Sequence, residues 1–185
     1  MSEEMDIFCE EIREGINHVK NPLKRAFIKE FFDKVASEYG DRLISFVVFG
    51  SVARGTDTRE SDIDILLILD TNECFFDRAI RLAKIINEVK RSEVAKLLES
   101  EGYSSLTEVY PLSLEEAVGF RPIYLDICLD AIIIYDKNSF FKKILYRLRN
   151  SLKNLEATRI SLSDQEWIWI LKPDLEFGEE FKIDF

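Results

Sequence analysis

The stretch from Val47 to Asp70, VVFGSVARGTDTRESDIDILLILD, decides the fold. An apolar run ends at Gly50-Ser51, ten mostly polar residues follow (52–61), and a second apolar run begins with two aspartates one residue apart. Carboxylates at the mouth of a buried strand cost several kcal/mol each unless a partner neutralises them. A bound cation is the usual partner, and cations held by carboxylates commonly hold phosphates as well.

The two aspartates are expected to act as a pair. Residues two apart on a strand point to the same face, so Asp62 and Asp64 project together while Ile63 enters the opposite layer. Two carboxylates this close repel each other unless a divalent ion bridges them. Sites of this kind hold two Mg²⁺ ions roughly 3.5–4 Å apart, one beside the attacking oxygen and one on the phosphates.

The Gly-Ser pair supplies a complementary phosphate site. Gly50 allows the backbone to approach a phosphate closely. Ser51 is expected to cap a short helix begun by SVARG, whose free N–H groups would face the phosphate. Arg54 adds a nearby cation. Gly50, Ser51 and Arg54 are therefore the predicted nucleotide-binding residues.

The segment FGSVARGTDTRESDIDILL resembles the signature of the polymerase-β-type nucleotidyltransferase superfamily: an apolar run, Gly-Ser, a spacer, then Asp-apolar-Asp-apolar. The specific match covers residues 43–70, and a looser one extends to about residue 136. The resemblance implies that Gly50 and Ser51 contact the nucleotide phosphates and that Asp62 and Asp64 bind Mg²⁺. The most similar subgroup is that of the minimal nucleotidyltransferases of bacteria and archaea, many of which are antitoxins, and some of which transfer AMP to a partner toxin.

The same resemblance implies a third acidic residue from a neighbouring strand. It would help to deprotonate the attacking hydroxyl or complete the metal site. Glu108, in SLTEVY, follows the long helix and is the favoured candidate for both catalysis and metal binding. Asp126, in YLDICLD, is the alternative, although its surroundings indicate a helix.

Composition excludes several other classes of site. The 185 residues suit one domain, 46% are hydrophobic and the formal net charge is −10, which disfavours generic binding to nucleic-acid phosphates. His18 is the only histidine, so zinc sites built on histidine clusters are excluded. Cys9, Cys74 and Cys128 lack metal-like spacing and suit a reducing compartment. The acidic N-terminus and short apolar runs favour a cytoplasmic protein without membrane contact.

The order of predicted elements indicates an α/β or α+β fold, a mixed β-sheet flanked by helices with further helices at both ends. Three regions are expected: a helical N-terminal extension (1–40), a nucleotidyltransferase-like core (41–136), and a C-terminal helix and tail packed on the core (137–185). Predicted strands cover 43–49, 62–69, 104–113 and 131–136; predicted helices cover 3–19, 22–39, 71–101 with a break near Ser92, 114–129 in two pieces, and 139–157 from a Ser139 cap; the tail is predicted to be extended.

The C-terminal region carries two further features. Residues 137–159 are rich in lysine and arginine against Glu156 alone. This segment is either a solvated helix face or a surface for an acidic partner, nucleoside triphosphate or RNA. Trp167 and Trp169 are expected to latch the tail onto the core, with stacking on a base as the alternative.

These observations favour a Mg²⁺-dependent nucleotidyltransferase that transfers a nucleoside monophosphate, with AMP favoured, from an NTP to a hydroxyl. The acceptor is open, and a hydroxyl of a partner protein is one candidate. The alternative is an antitoxin-type binding module that neutralises a helical toxin by contact, with a regulatory or vestigial nucleotide site. Nucleic acid remains open as a partner.

Overall fold

A five-stranded mixed sheet forms the centre of the protein. The computed structural model describes residues 8, 11–163 and 166–183. The strands of this sheet are β1 (Arg13–Glu14), β2 (Leu43–Phe49), β3 (Ile63–Leu69), β4 (Thr107–Ser113) and β5 (Ile132–Asp136). Their order is β1-β5-β2-β3-β4; β2 is antiparallel to β3 and β5, whereas β3 pairs parallel with β4 and β1 with β5. The predicted fold class is confirmed.

Seven α-helices lie among the described residues. They are α1 (Pro22–Tyr39), α2 (Gly50–Arg54), α3 (Phe75–Val89), α4 (Glu93–Ser100), α5 (Leu114–Ala117), α6 (Tyr124–Asp130) and α7 (Phe140–Asn154). Helix α1 begins as predicted, with Pro22 in its first turn and Gly40 at its end, and the Asn21 side chain accepts hydrogen bonds from the N–H groups of Leu23 and Lys24. The predicted break near Ser92 separates α3 from α4.

The alternation of side chains along β3 divides the core into two layers. Ile63, Ile65 and Leu67 belong to the layer covered by α1, α3 and α4. Leu66 and Ile68 belong to the layer with residues of α6 and α7. Asp64 has the same parity as Leu66, so the carboxylate lies at the end of an apolar stripe.

The prediction of a helix over residues 3–19 is wrong for residues 11–19. Arg13–Glu14 is extended and pairs with β5, and Ile16–His18 is a single 3-10 turn. Gly15, at φ +96°, interrupts any helix there, and the outer edge of β5 offers backbone groups for pairing. Most of the preceding segment, including Cys9, lies outside the described residues.

The predicted cap of α7 is also corrected. Ser139 stands at the N-cap but has a left-handed backbone and makes no capping hydrogen bond. The Asp136 carboxylate instead accepts from the N–H groups of Phe141 and Lys142, and also from the Ser45 hydroxyl. The end of β5 therefore fixes the start of α7.

The tail forms an antiparallel hairpin, β6 (Thr158–Ser161) with β7 (Trp167–Ile170). Trp169, Leu171 and Ile183 pack against the α7 layer of the core, in agreement with the predicted latch. Within the described ranges, every helix is too short or too polar to cross a membrane.

Candidate active site

The glycine that ends β2 and the second aspartate of β3 are in direct contact. Antiparallel pairing places Phe49 opposite Asp64, so Gly50 follows immediately beside the carboxylate. A Cβ atom built on Gly50 would lie 2.0 Å from Asp64 Oδ2. Gly50 also has φ +69°, a conformation that disfavours side chains. Position 50 thus requires glycine on two grounds.

Helix α2 carries the rest of the Gly-Ser motif. The expected Ser51 cap is wrong, because Phe49 is the N-cap and Ser51 is the second helical residue. The Ser51 carbonyl accepts from the N–H groups of Gly55 and Thr56, which closes this short helix at a left-handed Gly55. The Ser51 hydroxyl makes no hydrogen bond to any residue that the structure describes. It is available to a ligand beside Gly50.

A buried lysine holds the loop that joins the two halves of the motif. Lys24, on α1, is fully buried, and its Nζ donates to the carbonyls of Thr58 at 3.1 Å and Ser61 at 2.9 Å. The same Nζ lies 3.2 Å from Asp57 Oδ2. Sequence reasoning missed this contact. The signal that could have predicted a buried lysine is the position of Lys24, four residues before Ile28 on the apolar stripe of α1.

Parallel pairing brings the favoured third acid to the same edge. Asp64 and Glu108 are register partners on β3 and β4, with Glu108 exposed and Asp64 half-buried. Burial raises the pKa of Asp64 above its usual value, and the charges of Glu108 and Asp62 raise it further. The cations of Arg54 and Lys24 lower the pKa of Asp64. Three carboxylates and two cations therefore act on one small region.

The donor chemistry of this region fits a divalent cation. Mutual repulsion of neighbouring carboxylates is relieved when a cation binds between them. No group of three or more His, Cys, Asp or Glu side chains within the described residues is already arranged as a metal site. The residues that could hold a metal are Asp62 and Asp64, with Glu108 as the third.

The structure gives Asp126 different neighbours. Asp126 Oδ1 accepts a hydrogen bond from Trp167 Nε1 at 2.7 Å and from Trp169 Nε1 at 3.0 Å. Of the two candidates for the third acid, Glu108 therefore lies beside Asp64, whereas Asp126 anchors the tail hairpin. Arg54 lies between these regions, because its Cζ is 4.7 Å from the centre of the Trp167 ring.

The basic segment 137–159 is partly neutralised within the fold. Lys142 pairs with Glu14, and Arg159 lies 2.7 Å from Asp130 Oδ2. Lys143 and Arg147 have no carboxylate within 4.0 Å among the described residues. Both line an open cavity of about 500 Å³ between α5 and the start of α7.

Comparisons with known proteins identify the family. A family profile with the description "Nucleotidyltransferase domain" matches residues 28–105. The "Putative protein adenylyltransferase MJ1305" of Methanocaldococcus jannaschii is 31% identical over 143 residues, covering 76% of this chain and 90% of that protein. This chain belongs to the nucleotidyltransferase domain family. Gly50, Ser51, Arg54, Asp62 and Asp64 lie within the matched range, whereas Lys24, Glu108 and Asp126 lie outside it.

Two further similar proteins match less of the chain. The "Putative protein adenylyltransferase MJ0604" of the same organism is 40% identical over 74 residues, 36% of this chain and 71% of that protein. A chain from a crystal structure of a toxin–antitoxin with AMP-PNP has a TM-score of 0.43 at 14% identity, covering 69% of this chain and 92% of that chain.

Proposed function

We propose that this nucleotidyltransferase transfers a nucleoside monophosphate, with AMP favoured, from an NTP to a hydroxyl group on a partner protein. Two Mg²⁺ ions would be held by Asp62, Asp64 and Glu108. Gly50, Ser51 and Arg54 would bind the triphosphate. The relatives named as protein adenylyltransferases support both AMP as the transferred group and a protein as the acceptor.

One observation carries the proposal: the Asp64 carboxylate lies against Gly50, with Glu108 as its register partner. A phosphate beside the α2 backbone would therefore lie next to the carboxylate cluster. The pKa of Asp64 is raised by burial and by the charges of Glu108 and Asp62, which supports binding of additional positive charge at the cluster. The metal ions would supply that charge and neutralise the triphosphate.

The protein's own residues position and neutralise the reactants. The acceptor oxygen attacks the α-phosphorus, a new O–P bond forms, and the bond to the β-phosphate oxygen breaks with release of pyrophosphate. The exposed Glu108 faces the solvent edge and would take the proton of the attacking hydroxyl. The Ser51 hydroxyl and the Arg54 guanidinium would bind phosphate oxygens, so catalysis depends on orientation and charge.

Nucleotide binding tests the proposal directly. The double variant Asp62→Asn/Asp64→Asn should lose Mg²⁺-dependent binding of a non-hydrolysable ATP analogue in calorimetry. The double variant Asp33→Asn/Asp41→Asn removes the same charge from exposed positions and is the matched control. Binding by Asp62→Asn/Asp64→Asn at the wild-type affinity would contradict the assignment.

Transfer is tested by incubation with each labelled NTP and candidate acceptors, followed by mass spectrometry of intact proteins. We expect a mass increase equal to one or more nucleoside monophosphates on an acceptor protein. The alternative, a binding module that neutralises a toxin by contact, predicts a stable complex with no added mass. That outcome, with the nucleotide site intact, would replace the transfer hypothesis.

A further inference from the structure

Arg54 is held by an aromatic ring rather than by hydrogen bonds. Its Cζ lies 4.7 Å from the centre of the Trp167 ring. Within the described part of the chain, its guanidinium makes no hydrogen bond, its Nε is buried without a partner, and Asp130 is 3.8 Å away. The donors of Arg54 are thus left available while its position is restricted.

The ring that restricts Arg54 is itself firmly placed. Trp167 Nε1 donates to Asp126 on α6, and Cζ of Arg159, on β6, lies 5.0 Å from the centre of the Trp167 ring. Arg159 also pairs with Asp130 at 2.7 Å, the same carboxylate that faces Arg54. The hairpin is therefore attached to α6 by the indole hydrogen bonds of Trp167 and Trp169 to Asp126 and by the ion pair of Arg159 with Asp130.

Helix α2 is attached to α6 by a separate contact. Arg13 donates to the carbonyl of Ala53 at 2.6 Å and also to the carbonyl of Asp130. The backbone at the end of α2 is thereby placed without help from the hairpin. The hairpin contacts the Arg54 side chain through the Trp167 ring. The charge of Arg54 in turn lowers the pKa of Asp64.

We propose that Trp167 is a positioning residue for the nucleotide site: it stacks on Arg54 and keeps the guanidinium directed to the triphosphate. This inference rests on the proposed function. Ordering a long arginine side chain costs conformational entropy, so an arginine ordered before binding loses less on contact with its ligand. The tail then contributes to nucleotide affinity in addition to packing on the core.

Three tryptophan variants separate positioning from packing. Trp167→Leu removes the aromatic face, and we expect the affinity for a Mg²⁺–nucleotide analogue to fall about three- to tenfold, with KM rising and kcat nearly unchanged. Trp167→Phe keeps a ring on Arg54 and should restore most of the affinity. Trp169→Phe loses a hydrogen bond to the same Asp126 oxygen, but not the ring on Arg54, and should bind like the wild type.

A double-mutant cycle decides the route of the effect. In an Arg54→Met background, Trp167→Leu should cause no further loss of nucleotide affinity, because its effect passes through Arg54. Additive losses, or equal losses in Trp167→Leu and Trp169→Phe, would overturn the inference. The cycle remains decisive if Trp167→Leu detaches the hairpin, since a purely structural defect would persist without Arg54.

A spectroscopic readout distinguishes failure of this inference from failure of the proposed function. The chain has two tryptophans, so Trp169→Phe leaves Trp167 as the only indole. Its fluorescence should change on titration with the Mg²⁺–nucleotide analogue, and not when Asp62 and Asp64 are also replaced by Asn. Nucleotide binding without a fluorescence change contradicts the inference alone, whereas no binding by the wild type contradicts both.

Discussion

The carboxylate of Asp64 occupies the space that a side chain at position 50 would need. A Cβ atom on Gly50 would lie 2.0 Å from Asp64 Oδ2, 2.9 Å from Cγ and 3.3 Å from Cβ. Gly50, in the first half of the motif, and Asp64, in the second half, are therefore in close contact. This contact links the shape of the proposed phosphate-binding turn to the position of Asp64, the acid that follows it.

Gly50→Ala should abolish activity. The added methyl group would displace the Asp64 carboxylate, and a shift of about 1 Å at a catalytic group can cost about 100-fold in rate. The left-handed backbone at this position adds roughly 1–2 kcal/mol of destabilisation. Turnover and urea unfolding would measure both effects.

Gly119→Ala is the matched control for that variant. Its added Cβ would lie 3.6 Å from the Glu116 carbonyl oxygen, an ordinary contact. We expect activity within twofold of the wild type, roughly the range of neutral surface changes. Equal losses in the two glycine variants would contradict the fitted contact between Gly50 and Asp64.

Lys24→Met should destabilise the protein by about 3–5 kcal/mol, because it leaves the largely buried Asp57 carboxylate without its cation. The carbonyls of Thr58 and Ser61 would also lose their donor. Denaturant unfolding measures the loss. Lys29→Met, which removes an exposed ion pair with Asp33, should cost no more than about 0.5 kcal/mol. Similar values for the two lysines would disprove the role assigned to Lys24.

The Arg78–Glu116 pair predicts a pH-dependent contribution to stability. Burial acts to raise the pKa of Glu116, but the Arg78 guanidinium and the Ser113 N–H outweigh it and lower the pKa below its usual 4.5. A carboxyl group whose pKa is lower in the folded state stabilises the fold above the unfolded-state value, and this stability is lost as the pH falls through the folded-state value.

Glu116→Gln tests that sign. At neutral pH, it should reduce the free energy of unfolding by about 1–3 kcal/mol, because the buried Arg78 loses a charged acceptor. The difference from the wild type should shrink as the pH is lowered below 4.5. Glu115→Gln, an exposed neighbour on the same short helix, should match the wild type throughout. A gap between Glu116→Gln and the wild type that widens in acid would refute the linkage.

Glu108→Gln and Asp126→Asn should affect different kinetic constants. Glu108→Gln removes the proposed base and metal ligand, so kcat should fall about 100-fold or more. Asp126→Asn weakens the acceptor for two indole N–H groups, so KM for the nucleotide should rise while kcat is largely retained. Steady-state kinetics at saturating Mg²⁺ would separate the two. A collapse of kcat in Asp126→Asn alone would make Asp126 the third acid.

Most of the sheet and the motif could be predicted because their signals are local. The run 43–49 is a strand with the predicted bounds, and the next strand begins at Ile63, one residue later than predicted, so that Asp62 immediately precedes it. Contacts that depend on distant segments could not be predicted in this way. Two partners of Lys24 are backbone carbonyls at least 34 residues away, and nothing in the sequence marks a carbonyl as an acceptor.

Helix caps and short edge pairing were the other misses. Serine is a residue type favoured at an N-cap, which is why Ser139 was predicted. The free N–H groups of α7 instead donate to the carboxylate of Asp136, at the end of β5. Strand β1 has only two residues and exists because β5 has a free edge, which no local periodicity reveals. The sequence left two roles for Trp167 and Trp169, attachment of the tail to the core or stacking on a base. Their hydrogen bonds to Asp126 favour attachment, and these bonds join residues 41 and 43 positions apart.

Under the proposed role of Glu108, the parallel pairing of β3 with β4 makes enzymatic activity an assay of strand alignment. Glu108 comes from an edge strand, and a slip of one residue would turn its side chain to the other face and put Thr107 or Val109 opposite Asp64. A slipped chain would retain nearly the same secondary structure, although the core-facing and solvent-facing side chains of β4 would be exchanged. Circular dichroism would not distinguish such a misfolded fraction from native protein. The specific activity of each preparation would report only the molecules with the native alignment.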